Sequence, residues 1–140
     1  MIISLIKEET SKEFIEKMEE KYNSYEQLEE AFQKTKRTIL HVDLENWKYL
    51  KNNPEETIQL TETLFTNELN IGENEIELLN LIKSKTPKSI RELAKIIDKD
   101  ISTIQPKIKK LENEGLIELK QGGKNSKIPI VNYDKIEIAI

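Results

Sequence analysis

Hydroxyl, amide and lysine side chains recur between residues 102 and 127 at a spacing that suits binding to a nucleic acid. Lysine binds phosphate oxygens, while hydroxyl and amide groups bond to phosphate or to base edges. A helix that starts near Ser102 turns by about 100° per residue, and Ile104, Ile108 and Leu111 then form its buried stripe. The opposite face carries Ser102, Pro106, Lys109, Lys110 and Asn113, with Thr103 beside them.

Two further groups of residues complete this candidate interface. A Gly-Gly turn flanked by cations suits close approach to phosphate, and Arg91 opens the preceding helix. Pro106 replaces a polar side chain that could bond to base edges from the middle of this face, so it would touch a thymine methyl or lower sequence selectivity. In the first turn of a helix, proline costs little stability. The predicted DNA-binding residues are Ser89, Arg91, Ser102, Thr103, Gln105, Pro106, Lys109, Lys110, Lys120, Lys124, Asn125 and Lys127.

No catalytic or metal-binding set accompanies these residues. The chain has no cysteine, one histidine, no Gly-rich phosphate loop and no nucleophile elbow. His41 lies beside Asp43 and Glu45, which is too few ligands for a metal site, and Trp47 with Tyr49 favours a core or dimer anchor over a ligand platform. We therefore expect a protein that is not an enzyme and that uses no cofactor.

The net charge of -4 over 140 residues, taken as a whole, argues against a nucleic-acid binder. The charges are, however, unevenly distributed along the sequence. Residues 1–70 hold 9 basic and 15 acidic residues, net -6, whereas Lys83 to Lys127 holds 12 basic and 6 acidic residues, net +6. A basic module is attached to an acidic one. No apolar run is long enough to span a bilayer, so we expect a soluble, cytoplasmic protein without membrane contact.

The first half predicts helices and strands in alternation. Residues 2–6 form a strand or the start of a helix, with the strand favoured. Thr10 and Ser24 are each followed three residues later by Glu or Gln, which predicts two capped helices, up to about residues 22 and 34. Residues 38–44 are β-branched and partly alternating, which predicts a strand, followed by a short helix over 45–51 and a loosely indicated strand over 57–61. Residues 65–71 are predicted to be connecting chain.

The second half predicts three short helices and a hairpin. Ile76, Leu79 and Ile82 give the stripe of the first helix over 73–84. Capping boxes at Ser89 and Ser102 predict the second and third helices, and Gly115 suits a left-handed residue after the third. Two β-runs, 116–121 and 127–131, flank the Gly-Gly turn. Residues 135–140 alternate strictly, and the strand they predict needs the N-terminal segment or a second subunit as its partner.

This order of elements resembles a known family, the archaeal MarR-like winged-helix predicted transcriptional regulators. The resemblance spans roughly residues 76 to 140, with a fainter echo across 10 to 44. It rests on Ser-Ile-Arg-Glu-Leu-Ala at 89–94, Ile-Lys-Lys-Leu-Glu-Asn-Glu-Gly-Leu-Ile at 108–117 and Tyr-Asp-Lys-Ile-Glu-Ile at 133–138. It implies a DNA-binding regulator of transcription.

We therefore expect an α+β protein with an acidic N-terminal helix and strand region over 1–70, which supplies dimer contacts or a sensor surface. Residues 71–140 would form a winged helix-turn-helix domain. Helix 102–114 would enter the major groove of double-stranded DNA, and hairpin 116–131 would act as the wing of a homodimer. The alternative is a winged-helix protein-interaction module with little DNA affinity, whose partner is the transcription machinery or a toxin.

Overall fold

The computed structural model describes residues 1–65 and 69–140, and these residues form a mixed α+β fold. They contain six helices and two small sheets, a three-stranded sheet and a two-stranded antiparallel one. The predicted connecting chain 65–71 is described only in part: Phe65 ends a strand, and 66–68 lie outside the described residues. In chain order the elements are β1 (Ile2–Thr10), α1 (Ser11–Tyr22), α2 (Tyr25–Thr35), α3 (Thr38–Asn52), β2 (Thr57–Phe65), α4 (Glu73–Lys85), α5 (Ile90–Ile97), α6 (Ile101–Asn113), β3 (Glu118–Gln121), β4 (Lys127–Ile130) and β5 (Lys135–Ala139).

The chain divides into two compact units. The first, which we call the C-terminal unit, contains Met1–Leu5 and Thr63–Ile140, and the second, the helical unit, contains Ile6–Glu62. The division falls within β1 and β2. The three-stranded sheet has the order β2-β1-β5, so the predicted terminal strand pairs with the N-terminal segment.

The helical unit is built on two capped helices, as predicted. The Thr10 hydroxyl accepts a hydrogen bond from the Glu13 amide at 3.2 Å, and the Ser24 hydroxyl accepts one from the Gln27 amide at 3.2 Å. Each bond satisfies an amide that has no partner inside the helix. The core is Phe14, Met18, Leu28, Leu40, Leu44, Trp47 and Leu50.

The strand predicted over residues 38–44 is wrong, because these residues begin the fifteen-residue helix α3. Alternation places Leu40, Val42 and Leu44 on one face of a strand, but Leu40 and Leu44 also lie one helical turn apart. The structure buries Leu40, Leu44 and Trp47 together and leaves Val42 exposed. Helical spacing to Trp47 therefore overrides the β-branched character of the segment.

The C-terminal unit packs α4, α5 and α6 around one apolar core that also takes in residues of β1. Leu78, Leu79 and Ile82 are the buried residues of α4, whereas Ile76, predicted on its inward stripe, is 54% exposed. The inner face of α4 is thus centred nearer Leu78 than the prediction had it. The buried core is Ile3, Leu5, Leu78, Leu79, Ile82, Leu93, Ala94, Ile104, Ile108, Leu111, Leu116, Ile117 and Tyr133.

Helix α6 starts earlier than its sequence predicts. The capping box at Ser102 is wrong, because Asp100 is the N-cap residue and Ser102 already lies in the first turn. Asp100 has the extended backbone of a cap, yet its side chain makes no cap hydrogen bond. Ile101 is drawn into the helix because it packs against the apolar core of the unit.

Gly115 ends α6 as predicted, with φ at +79°. The Leu116 amide donates to the Leu111 carbonyl at 2.9 Å, and the Gly115 amide donates to the Glu112 carbonyl at 3.0 Å. This pair of bonds is a Schellman motif, and it buries Leu116 beside Leu111. The motif turns the chain directly into β3.

The hairpin is present as predicted, with Leu119 opposite Pro129 and Gln121 opposite Lys127. Its left-handed residues are Lys124 and Asn125, at φ +53° and +62°, and neither glycine of the turn has a positive φ. A Cβ at position 122 would lie 2.6 Å from the Ser126 hydroxyl, so a larger residue there would require that side chain to move. In the described part of the chain, no helix has the length and apolar character needed to cross a bilayer.

Candidate nucleic-acid interface

The outward face of α6 carries the hydroxyl and lysine residues that the helical geometry predicts. Ser102 and Thr103 in the first turn and Lys109 and Lys110 in the third are all exposed. Ile104, Ile108 and Leu111 hold the opposite side of the helix in the core with 1–2% exposure. The core therefore fixes which way these polar side chains face.

The cations of this face are partly balanced by neighbouring carboxylates. Lys109 forms an ion pair with Glu112 at 3.0 Å, with the lysine side chain 68% exposed. Backbone amides at Glu75 and Gly72 lower the pKa of the Glu75 carboxyl, and Lys110 and Lys107 lower it further. An exposed ion pair contributes only about 0.2–1 kcal/mol, so a phosphate can replace Glu112 as the partner of Lys109 at little cost.

Pro106 lies in the interior of α6 and not, as predicted, in a first turn where it costs little. Because the helix begins at Ile101, an amide at position 106 would have bonded to the Ser102 carbonyl. Proline removes that donor from the hydrogen-bond ladder of the helix.

The hairpin separates two of its predicted phosphate ligands. Successive side chains of a strand point to opposite faces, so Lys120 opposite Ile128 and Lys127 opposite Gln121 lie on different faces of the hairpin. The Lys127 ammonium donates to the Gln121 amide oxygen at 3.0 Å. A single phosphate surface that contacts the tip can therefore also contact either Lys120 or Lys127, but not both.

The tip of the hairpin is held by its own hydrogen bonds. The Gly122 amide donates to the Ser126 carbonyl at 2.8 Å, and the Ser126 hydroxyl donates to the Gly123 carbonyl at 2.6 Å. Lys124 and Asn125 occupy the exposed left-handed positions between them. Their side chains are thus presented on a closed turn.

The start of α5 contributes a third group. The Ser89 hydroxyl accepts from the Glu92 amide at 3.0 Å, and the Glu92 carboxylate accepts from the Lys88 amide at 3.2 Å. The oxygen of Ser89 is thereby used as a helix cap, while Arg91 is exposed one residue into the helix. Of these two residues, Arg91 is therefore the one whose side chain is available to contact phosphate.

Two observations complete the set of sequence-predicted residues. Gln105 is exposed on the flank of α6, and so is Lys107, which the prediction left out because it lies about 60° from the buried stripe.

His41 is exposed on α3 with its ring 5.3 Å from that of Phe32, while Asp43 accepts a 2.7 Å hydrogen bond from Tyr22. Among residues 1–65 and 69–140, no three acidic or histidine side chains are grouped as a metal site requires.

Comparison with known proteins gives one result for this unit. Residues 71–138 match the model of a protein family designated HVO_A0114, a segment just under half of the chain that runs from the start of α4 into β5. No curated protein and no solved structure matches the chain.

Proposed function

We propose that this protein binds double-stranded DNA and regulates transcription, with the C-terminal unit acting as a winged helix-turn-helix. Helix α6 enters the major groove with its N-terminal residues toward the bases, α5 crosses the backbone, and hairpin 116–131 reaches a neighbouring groove as the wing. The regulatory role is the one implied by the resemblance to MarR-like regulators. A homodimer would place two copies of α6 on paired half-sites.

The outward face of α6 carries the proposal. It combines hydroxyls at its N-terminal end with lysines about two turns later, and the core on the other side holds it in one orientation. That arrangement suits base contacts at the start of the helix and phosphate contacts further along. The excess of positive charge in residues 83–127 favours the same partner.

The salt dependence of binding to a 20-base-pair duplex, followed by fluorescence anisotropy, tests the proposal. If each subunit neutralises about four phosphates, a dimer releases counterions from about eight, and log affinity falls with log salt at a slope near -7. A flat salt response would contradict DNA binding. Selection of bound genomic fragments would then identify the preferred sites.

A charge-reversal pair of variants separates the proposed face from general charge. Lys109, Lys110 and Lys124 are changed to Glu in one variant, and Lys12, Lys34 and Lys48, which are exposed residues of the helical unit, are changed to Glu in the other. Both variants change the net charge by the same amount. We expect the first to lose binding and the second to retain its salt slope; equal losses would contradict the assignment of this face.

Two features of the same face favour a second candidate function, docking onto a protein partner. Pro106 occupies the middle of the face, where a groove-reading helix needs a polar side chain, and Glu112 neutralises Lys109. Capture of a partner that is lost in the Lys109, Lys110 and Lys124 variant, with no DNA binding by the parent protein, would support this alternative.

A further inference from the structure

Strand β5 has one edge without a partner among the described strands. The order β2-β1-β5 places β5 at the edge of the sheet, with only its β1 side hydrogen-bonded. An open edge exposes a row of unpaired amide and carbonyl groups and is a template for pairing with another chain. The residues of β5 include no proline that would block this edge.

The edge strand also exposes an apolar row. Ile136, Ile138 and Ile140 alternate and share one face. Ile136 packs against the core of its own unit, whereas Ile138 is 52% exposed and Ile140 is fully exposed. The apolar row thus continues past the core along the open edge.

A groove lies beside this row, within the same unit. It has a volume of about 310 Å³ and is lined by residues of α4, by the segment that leads into β5 and by the start of β5. Ile136 and Ile76 both line it, and Ile76 is 54% exposed. A side chain placed next to Ile136 from outside the chain would therefore meet an apolar surface.

We propose that a second copy of the chain covers this edge by antiparallel pairing of β5 with β5. The twofold axis passes through Ile138, so that Ile138 faces Ile138 of the second copy and Ile136 faces its Ile140. Ile140 of each copy then lies over the groove beside Ile136. This interface does not depend on DNA binding.

Charge and burial select this register. A twofold through Glu137 places two glutamates directly opposite each other, which is destabilising. A twofold through Ile136 forms two Lys135–Glu137 pairs, but exposed ion pairs stabilise little, and this register leaves Ile138 and Ile140 opposite Asp134 and Asn132. The axis through Ile138 instead brings the exposed isoleucines of the two copies against one another, which removes apolar surface from water, and it places Ala139 opposite Glu137.

The interface is small. Pairing of two short strands and one neighbouring groove buries less than the roughly 1,200 Å² of a standard specific interface. We therefore expect a dimer that forms at micromolar concentrations and dissociates on dilution. A partner that holds both copies in place, such as a two-site ligand, would strengthen it through effective concentration.

Cysteine cross-linking tests the register directly, because the chain has no cysteine of its own. Directly opposed residues of antiparallel strands have Cα atoms about 4.5–5.5 Å apart, within the range a disulfide bridges. Ile138→Cys should form a covalent dimer in mild oxidant. Tyr49→Cys is the control, since Tyr49 is 54% exposed but lies in the helical unit.

Two further variants fix the axis. Ile136→Cys alone should not cross-link, because the two copies of residue 136 would be about 13 Å apart along the strands. An equal mixture of Ile136→Cys and Ile140→Cys chains should form the mixed dimer. Cross-linking of Ile138→Cys no greater than that of Tyr49→Cys, or efficient cross-linking of Ile136→Cys alone, would overturn the proposed interface.

Sedimentation of the unmodified chain keeps the test independent of cysteine chemistry. We expect a monomer–dimer equilibrium for the parent protein and a shift to monomer in Ile138→Glu, whose folding is checked by circular dichroism. A parent protein that stays monomeric at hundreds of micromolar would overturn the proposal. None of these measurements contains DNA, so their failure is distinct from a flat salt response in the duplex-binding assay.

Discussion

Tyr133 ties the chain after the hairpin to the end of α6. Its hydroxyl donates a 2.7 Å hydrogen bond to the Leu116 carbonyl, and both groups are buried. Burial raises the pKa of the Tyr133 phenol to about 12 from its ordinary value of 10. The fold therefore favours the neutral phenol, which is the form able to donate this bond.

Removal of this hydroxyl should destabilise the protein at neutral pH and much less at high pH. Tyr133→Phe leaves the buried Leu116 carbonyl unpaired, which costs about 1–3 kcal/mol of unfolding free energy. Because the folded pKa is the raised one, the contribution is complete below pH 10 and is lost as the pH rises through 12. Urea unfolding followed by circular dichroism from pH 8 to pH 12 measures the difference between the two proteins.

Tyr49→Phe provides the matched control for this pH series. Tyr49 is 54% exposed on α3, so removal of its hydroxyl should change the unfolding free energy by less than about 0.5 kcal/mol. A difference between parent and Tyr133→Phe that stays constant up to pH 12 would contradict the assigned role of the phenol.

At the scale of single elements, α6 departs from what a stable helix prefers. It contains a proline at its sixth residue and begins at an N-cap that makes no side-chain hydrogen bond. Its position depends on Ile104, Ile108 and Leu111 in the core and on the Schellman motif at Gly115. Tertiary packing therefore holds this helix against its own local preferences.

Pro106→Ala should stabilise the protein. Proline in a helix interior costs about 3 kcal/mol relative to alanine, and the greater freedom of the unfolded alanine chain returns up to about 1 kcal/mol. We expect a net increase of about 2 kcal/mol in the free energy of unfolding, measured by urea or thermal denaturation.

Gln105→Ala is the control, because Gln105 is the exposed neighbour of Pro106 in the same helix. Glutamine and alanine differ little in helix propensity, so this change should stay within about 0.5 kcal/mol. A lower stability of Pro106→Ala would mean that the proline ring makes contacts which the helix needs. The salt slope of duplex binding by Pro106→Ala would also show whether the proline limits DNA affinity.

At the scale of the whole molecule, the two ends of the chain build one core. Ile3 and Leu5 of β1 lie in the same buried cluster as Leu93, Ile108 and Leu116. The matched family segment begins at residue 71 and so leaves out these two residues. The strand that completes this unit therefore comes from the far end of the sequence.

Ile3→Ala should destabilise the packing of α4, α5 and α6, although Ile3 lies far from these helices in sequence. Truncation of a buried isoleucine to alanine costs about 2–5 kcal/mol. Hydrogen exchange should show faster opening of the α4, α5 and α6 amides, since Ile3 is 1% exposed in their core. Ile2→Ala is the control, because Ile2 is 42% exposed on the other face of the same strand. Equal exchange rates in the two variants would contradict this account.

The sequence by itself determined the elements that depend on neighbouring residues. The caps at Thr10, Ser24 and Ser89, the end of α6 at Gly115 and the hairpin are confirmed, because each requires particular residues at fixed short spacings. The helical spacing of the α6 core also indicated which side chains would be exposed.

Only the tertiary structure decided the features that depend on distant contacts. Residues 38–44 fit both a strand and a helix, and burial of Leu40 and Leu44 with Trp47 selected the helix. Strand register likewise placed Lys120 and Lys127 on opposite faces of the hairpin. The alternating sequence of β5 did not determine its pairing partner, because alternation specifies which face is buried and not which strand lies beside it. In the folded chain, one edge of β5 pairs with β1, and the other edge has no partner among the described strands.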